Sequence, residues 1–139
     1  MSLDPGRTRT AWDQLAPVWA AAQALVPGGR FVLVIPHPCT QTPFRRWERD
    51  DCGAKRWLCV DRYFDAGPQE QTWSHWTDAP LTTESVHATI ERWTSWSLAA
   101  GFARRGLAEP RPDAATLARH PDLEDAARVP YFLVLDLSR

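Results

Sequence analysis

His37 stands between Pro36 and Pro38, directly after the apolar run Phe31 to Ile35, with Cys39 two residues further on. An imidazole just past the carboxyl end of a buried strand lies where open α/β sheets place their ligands, and the flanking prolines restrict the backbone around it. Its chemistry there is to hydrogen-bond a substrate or accept a proton from one; the plainer alternative is a loop histidine with its hydrogen bonds satisfied. Trp47, Trp57, Trp73, Trp76, Trp93 and Trp96 lie in or just after the middle of the chain. Such a concentration makes either a small satellite core or an aromatic wall around an apolar or flat substrate, with Trp73 and Trp76 the wall candidates. His37, Cys39, Cys52 and Cys59, with His75, form a competing zinc constellation. Only His37 and Cys39 have the close spacing that paired zinc ligands show, so metal is not expected. Arg45-Arg46 and Arg104-Arg105 could meet an anionic substrate, but solvated surface charge explains them more simply.

The elements that position these residues follow from hydrophobic spacing. Trp12, Leu15, Val18, Trp19, Ala22 and Leu25 recur every three or four residues, which predicts a helix over 11–26 with Pro17 in its first turn. Pro27, Gly28 and Gly29 end it. The following Phe31-Val-Leu-Val-Ile35 reads as a strand buried on both faces, in a parallel sheet flanked by helices. Residues 37–83 are polar, aromatic and too long for an ordinary connection, so they form an insertion or lid. Within them Trp57 to Tyr63 and Gln71 to Trp76 flank Asp65-Ala-Gly-Pro68 as a hairpin. Val86, Ile90, Trp93 and Trp96 predict a helix capped by Ser85 and stopped at Gly101. A strand over 102–109, a helix over 113–127 opened by Asp113, and a last strand over 131–137 complete the series.

The whole chain of 139 residues fits one domain, and 44% hydrophobic with 24% charged residues is a globular composition. With 16 Lys plus Arg against 17 Asp plus Glu, the net charge of -1 offers no field for nucleic acid or an anionic membrane. No apolar stretch approaches the roughly 20 residues of a membrane span, and Met1 to Thr10 lacks a signal-peptide core. A cytoplasmic protein with reduced cysteines is expected.

The words at the joints of these elements carry a resemblance. Ala24-Leu-Val-Pro-Gly-Gly-Arg-Phe-Val-Leu-Val-Ile35 resembles the helix, Pro-Gly-Gly turn and fifth strand of class I S-adenosylmethionine-dependent methyltransferases. Pro36-His-Pro-Cys39 is similar to a His-Pro-Cys-Phe segment in one bacterial, type 11-like subgroup, with Thr40 where an aromatic is usual. His87-Ala-Thr-Ile-Glu-Arg-Trp93 through Ala100-Gly-Phe102 resembles that subgroup's next helix and its closure. Glu109-Pro-Arg-Pro112, His120-Pro-Asp-Leu123 and Arg128-Val-Pro-Tyr-Phe-Leu133 resemble its closing signature. Residues 11–139 are covered in the family's order, as its carboxy-terminal half. His87 matches the histidine before the long helix; it either faces the pocket of His37 or simply starts the helix.

The resemblance implies an α/β fold: part of a Rossmann-like sheet, three-stranded and mixed, ordered as the fifth, seventh and sixth family strands, with helices on both faces and a long central insertion. Helix and fifth strand occupy 11–36, the insertion or lid 37–83, and the helix, sixth strand, helix and seventh strand 84–139. It implies a small-molecule substrate near His37, Cys39, Trp73, Trp76 and His87. S-adenosylmethionine is the family's cofactor, but the glycine-rich turn and the acidic strand end that hold it have no counterpart here, so this chain alone is expected not to bind it and to be inactive. The missing fourth strand leaves an apolar edge at Phe31 to Ile35. A fragment of a longer product, docking of a separate chain carrying the cofactor half, or homodimerisation would each close that edge. The last gives a non-catalytic binding or scaffold module.

Overall fold

In the final strand, β7 (Phe132–Ser138), every second residue is buried: Leu133, Leu135 and Leu137 point to the core, while Phe132, Val134, Asp136 and Ser138 are partly open. That period of two makes β7 the spine of the fold. The computed structural model describes residues 18–73 and 81–139. β1 (Arg30–Pro36) runs antiparallel along one side of β7, pairing Leu33 with Leu135 and Ile35 with Leu133. β6 (Ala103–Ala108) runs antiparallel along the other side, with a bulge between Arg104 and Gly106. The order β1-β7-β6 is the one the resemblance implies. Both ladders are antiparallel, however, because the central strand opposes its two neighbours; the expected parallel or mixed pairing is absent among the described strands.

Burial departs from expectation as well. Helix α1 (residues 18–24) places Val18 and Ala22 in one cluster with the three leucines, Ile35, Phe102 and Trp93 of helix α2 (Ile90–Ala99). These helices therefore cover one and the same sheet face. On the other face Val32 and Val34 remain about half exposed, so β1 is not buried on both sides by the described residues.

Local chemistry sets the boundaries of α2. Thr89, not Ser85, is its amino-terminal cap, accepting the Arg92 N–H, because residues 81–87 belong to strand β5. Val86 satisfies helical spacing by coincidence; the Thr82-Thr83 pair and Val86 are β-branched and suit a strand. At the other end Gly101 adopts φ 89°, the Phe102 N–H reaches Ser97 O at 3.1 Å, and the Gly101 N–H reaches Leu98 O at 3.0 Å. These are the paired bonds of a Schellman stop, which sends Phe102 into the core. The helix expected over 113–127 is broken by Pro121, which has no N–H to donate, into α3 (Ala114–Arg119), a 3-10 turn (Pro121–Leu123) and α4 (Glu124–Arg128). Asp113 caps α3 as expected, accepting the Thr116 N–H at 2.7 Å.

The central segment folds as two hairpins rather than the one expected. β2 (Phe44–Arg49) pairs with β3 (Lys55–Asp61), and β4 (Gly67–Trp73) pairs with β5 (Leu81–His87). Asp50 takes the Cys52 and Ala54 N–H groups, closing the first turn with Gly53 at φ 81°. Asp65-Ala-Gly-Pro68, read from sequence as a hairpin turn, instead spans the end of a corner between the two ribbons, residues 62–66, and the start of β4 at Gly67. Among the described residues no helix is long and apolar enough to cross a membrane.

A charged clamp fastens the first hairpin to the rest. Asp125 of α4 accepts from Lys55 Nζ and from the Tyr131 hydroxyl, and Arg128 donates to the carbonyls of Lys55, at 2.7 Å, and Arg56. Lys55 and Arg128 both sit over the Trp47 ring, at 5.5 and 5.0 Å. Burial works to raise the Asp125 pKa, but the hydrogen bonds from Lys55 and Tyr131 outweigh it and hold the carboxyl below its usual range. Since the folded value lies below the unfolded one, the stabilisation is fully present above about pH 3.9 and is lost as pH falls through the folded pKa. Asp125→Asn is expected to cost about 1–3 kcal/mol at neutral pH, and the deficit should shrink in acid. Thermal melts of both proteins at pH 7 and pH 2.5 check this; an equal deficit at both would mean the charge contributes nothing.

Candidate functional site

The end of β1 is built so that the chain turns sharply around one imidazole. The His37 N–H continues the ladder to Tyr131 O at 2.9 Å, after which the His37 carbonyl accepts from both Thr40 and Gln41, at 3.1 and 2.8 Å. The Thr40 hydroxyl donates to Pro130 O. The ring itself is 2% exposed. Its Nδ1 accepts the Cys39 N–H at 3.2 Å, which places the ring proton on Nε2, and Nε2 donates to Glu109 Oε1 at 2.8 Å. Glu109 immediately follows β6, so this bond ties the ends of the two outer strands together across β7. With both nitrogens occupied, His37 accepts no further proton without giving up a bond that shapes the turn.

The turn presents Cys39 to an open depression of about 470 Å³, walled by Cys39, Thr42, Val60, Tyr63, Phe64 and Asp65. Partial burial and the neighbouring Glu109 carboxylate push the Cys39 thiol up, against a smaller opposing effect of its hydrogen bond with Tyr63. A thiol so shifted is a weak nucleophile at neutral pH. Tyr63 is fixed at both ends: its hydroxyl accepts the Ile90 N–H at 3.1 Å in the first turn of α2, and its carbonyl accepts from His87 Nε2 at 2.8 Å. His87 is 3% exposed and meets the Tyr63 ring edge-on. Arg62, just before, adopts φ 64° and is held there by its N–H to Asp61 and its guanidinium to Asp65, both at 2.7 Å. A left-handed non-glycine residue is retained only when its surroundings impose it; here it turns Tyr63 and Phe64 onto the depression.

The sequence-derived residues thus separate. Cys39 forms part of the wall, while His37 and His87 lie behind it and hold Cys39 and Tyr63 in place. Trp73 ends β4, but its side chain, like all of His75 and Trp76, lies outside the described residues. Among the tryptophans described, Trp93 packs edge-on against Trp96 in the core, Trp47 belongs to the clamp and Trp57 is exposed. Cys52 sits in the hairpin turn and Cys59 lies against Glu48, and no three His, Cys, Asp or Glu side chains converge among the described residues. His37, Cys39, Cys52 and Cys59 therefore form no cluster among the described residues, and His75 lies outside them. Arg45, Arg46, Arg104 and Arg105 are exposed. Sequence reasoning missed Tyr63 and Phe64, which no motif marks, and the role of Glu109, which stood in a recognised segment without a partner.

No protein-family pattern matches the chain, and no curated protein does. Solved structures do. A protein from Mesorhizobium loti described as an S-adenosylmethionine-dependent methyltransferase superposes with a TM-score of 0.71 at 26% identity, over 91% of this chain and 56% of that one. One from Listeria monocytogenes, described as a putative enzyme of the same kind, gives 0.70 at 22% identity, over 88% and 53%. The chain spans about half the length of these structures, and its α/β fold is that of part of a methyltransferase.

Replacing Glu109 by Gln keeps a hydrogen-bonding partner for His37 but removes the charge near Cys39. The Cys39 thiol should then ionise at lower pH, read as a lower midpoint for its alkylation by iodoacetamide, followed on the Cys39 peptide by mass spectrometry; an unmoved midpoint would refute the coupling. His37→Ala, which strips the turn of both bonds, should cost about 1–3 kcal/mol in denaturant unfolding.

Proposed function

We propose that this chain is the acceptor-side half of a small-molecule S-adenosylmethionine-dependent methyltransferase, acting in the cytoplasm, inactive alone and completed by a companion half that brings the cofactor. The observation that carries it is the fold similarity: about nine-tenths of this chain matches, and only about half of each neighbour is matched. The sheet order β1-β7-β6 supports its assignment as the family's fifth, seventh and sixth strands. The described residues do not suit the cofactor themselves. Gly28 and Gly101 follow helices, Gly53 closes a hairpin and Gly67 opens β4. None of these lies in a turn leading from a strand into a helix, the arrangement that turns backbone N–H groups toward a nucleotide.

In this reading residues 37–83 form a lid, and the depression at Cys39, Tyr63 and Phe64 takes the methyl acceptor. His37 and His87 act as positioning residues behind it, and Trp73 and Trp76 remain proposed contacts of the acceptor. Alignment is the main service such a half supplies, since methyl transfer needs the acceptor atom in line more than it needs a strong base.

A second reading has its own observation. The outer edge of β1 has no strand neighbour among the described residues, and Val32 and Val34 beside it are open. A two-fold pairing of β1 with β1 would make a homodimeric, non-catalytic module.

Calorimetric titration with S-adenosylhomocysteine, with the mass in solution measured on the same sample, tests both. The first reading expects no heat of binding and an open edge that a companion half can occupy. Saturable micromolar binding would overturn it; a tight dimer that excludes any companion would favour the second.

A further inference from the structure

On the sheet face that α1 and α2 cover lies an apolar cavity of about 300 Å³ that shares no lining residue with the depression at Cys39. Phe31, Leu33 and Ile35 of β1 line it together with Val18 of α1 and Trp93 of α2, and Glu84, Ser85 and Val86 of β5 close it from the other side. No residue of β7 lines it, so it lies toward the side of β1 that has no strand neighbour among the described residues. Val18, Ile35 and Trp93 belong to the hydrophobic core, and the cavity is an unfilled extension of that core. Of the lining side chains only Glu84, Ser85 and the Trp93 indole offer water a hydrogen bond, and a space so lined holds water poorly.

The rim selects by charge. Side chains alternate along β5, so Glu84 projects to the same side as Val86, which packs against the core. The register of β4 with β5 sets Glu70 directly opposite Glu84, and opposed residues share a face, as Thr72 and Thr82 do with hydroxyls 3.2 Å apart. Two like charges so placed repel each other, and neither has a basic partner among the described residues. Arg30, at the start of β1, is engaged with Asp136 at 2.8 Å on the opposite face of the sheet. A cation at the rim relieves the repulsion, whereas an anion adds to it. We propose that this cavity binds a small organic amine, with its apolar or aromatic body between β1, Trp93 and Val86 and its ammonium at Glu84 and Glu70. The volume suits a single ring on a short chain rather than a larger ligand. Both carboxylates are exposed, so the ammonium keeps part of its hydration, and the charge contributes selectivity more than affinity. The site is separate from the acceptor depression and does not require the companion half.

Phenethylamine is the probe, with phenethyl alcohol as its neutral counterpart and hydrocinnamate as its anionic one. The full chain, carbon-13 labelled in its Ile, Leu and Val methyl groups, is titrated with each at neutral pH and low salt. Phenethylamine is expected to shift the Ile35 and Val86 methyl signals saturably with a millimolar Kd, phenethyl alcohol to bind about fivefold more weakly, and hydrocinnamate about tenfold or more. Glu84→Gln should bring amine and alcohol to within about twofold while leaving the alcohol's own Kd unchanged. Glu70→Gln, at an equally exposed position, should narrow the gap by a smaller factor. Equal binding of amine and alcohol by the unaltered chain, or a preference for the amine that survives both substitutions, overturns the site. So does the absence of any shift at Ile35 and Val86 up to the solubility limit, which would mean that another part of the chain fills the cavity. The cofactor titration decides the half-domain reading separately, so the two can fail independently.

Discussion

Among the described residues β7 is the one strand paired on both sides, and its alternation fixes nearly everything else. Leu133, Leu135 and Leu137 are almost wholly removed from water and are the surface on which α1 and α2 pack. The same strand sets the site through the residues just before it. Pro130 receives the Thr40 hydroxyl, Tyr131 receives the His37 N–H, and the Tyr131 side chain joins the Asp125 clamp that holds the first hairpin. A one-residue slip of β7 would turn its leucines to the open face and pull the turn of His37 out of register with Glu109. Core and site are thus held by one ladder.

The two buried histidines show why residue type and position were not enough to assign roles. Both lie where a catalytic imidazole would be sought, yet His37 spends Nδ1 on Cys39 and Nε2 on Glu109, and His87 spends Nε2 on the Tyr63 carbonyl. A neutral imidazole has one donor and one acceptor, so His37 has none left over. What the histidines do is hold a thiol and a phenol at fixed places on the wall of the depression. Partial burial and the Glu109 carboxylate push the Cys39 thiol up. In the proposed function such a wall orients the acceptor and leaves the nucleophile to the acceptor itself.

What could be read in advance was what local sequence decides. The Pro27-Gly28-Gly29 stop, the Gly101 stop, the Asp113 cap and the strands at 31–35, 102–109 and 131–137 all follow from short-range patterns, and the structure has each within a few residues. The pairing of the central strands did not follow, because register between ribbons comes from turns and tertiary contacts. Asp65 to Pro68 carries turn residues, but the Arg62–Asp65 bond makes a corner there, and the turn of the first hairpin lies at Asp50 to Ala54. Val86 fitted a helical stripe only because it happens to lie four residues before Ile90, although its strand runs on to His87. The contacts among Gln41, Gln69 and Gln71 gave no signal at all, since they come from a turn and a strand that sequence spacing does not relate.

The open face and the open edge of β1 make different demands on whatever covers them. Pairing β1 with a second β1 satisfies the free N–H and C=O groups of the edge, but it runs in the plane of the sheet and leaves Val32 and Val34 in water. Half-exposed valines forgo about 1 kcal/mol each relative to full burial, so a larger sheet with the same bare face doubles the number left open. A companion that adds a strand to the edge and lays a helix across the face satisfies both at once. Among the described residues α1 and α2 cover the opposite face only. The open surface among the described residues therefore suits a partner built of sheet and helix better than a copy of this chain, and this asymmetry supports the proposed companion half over the proposed self-pairing.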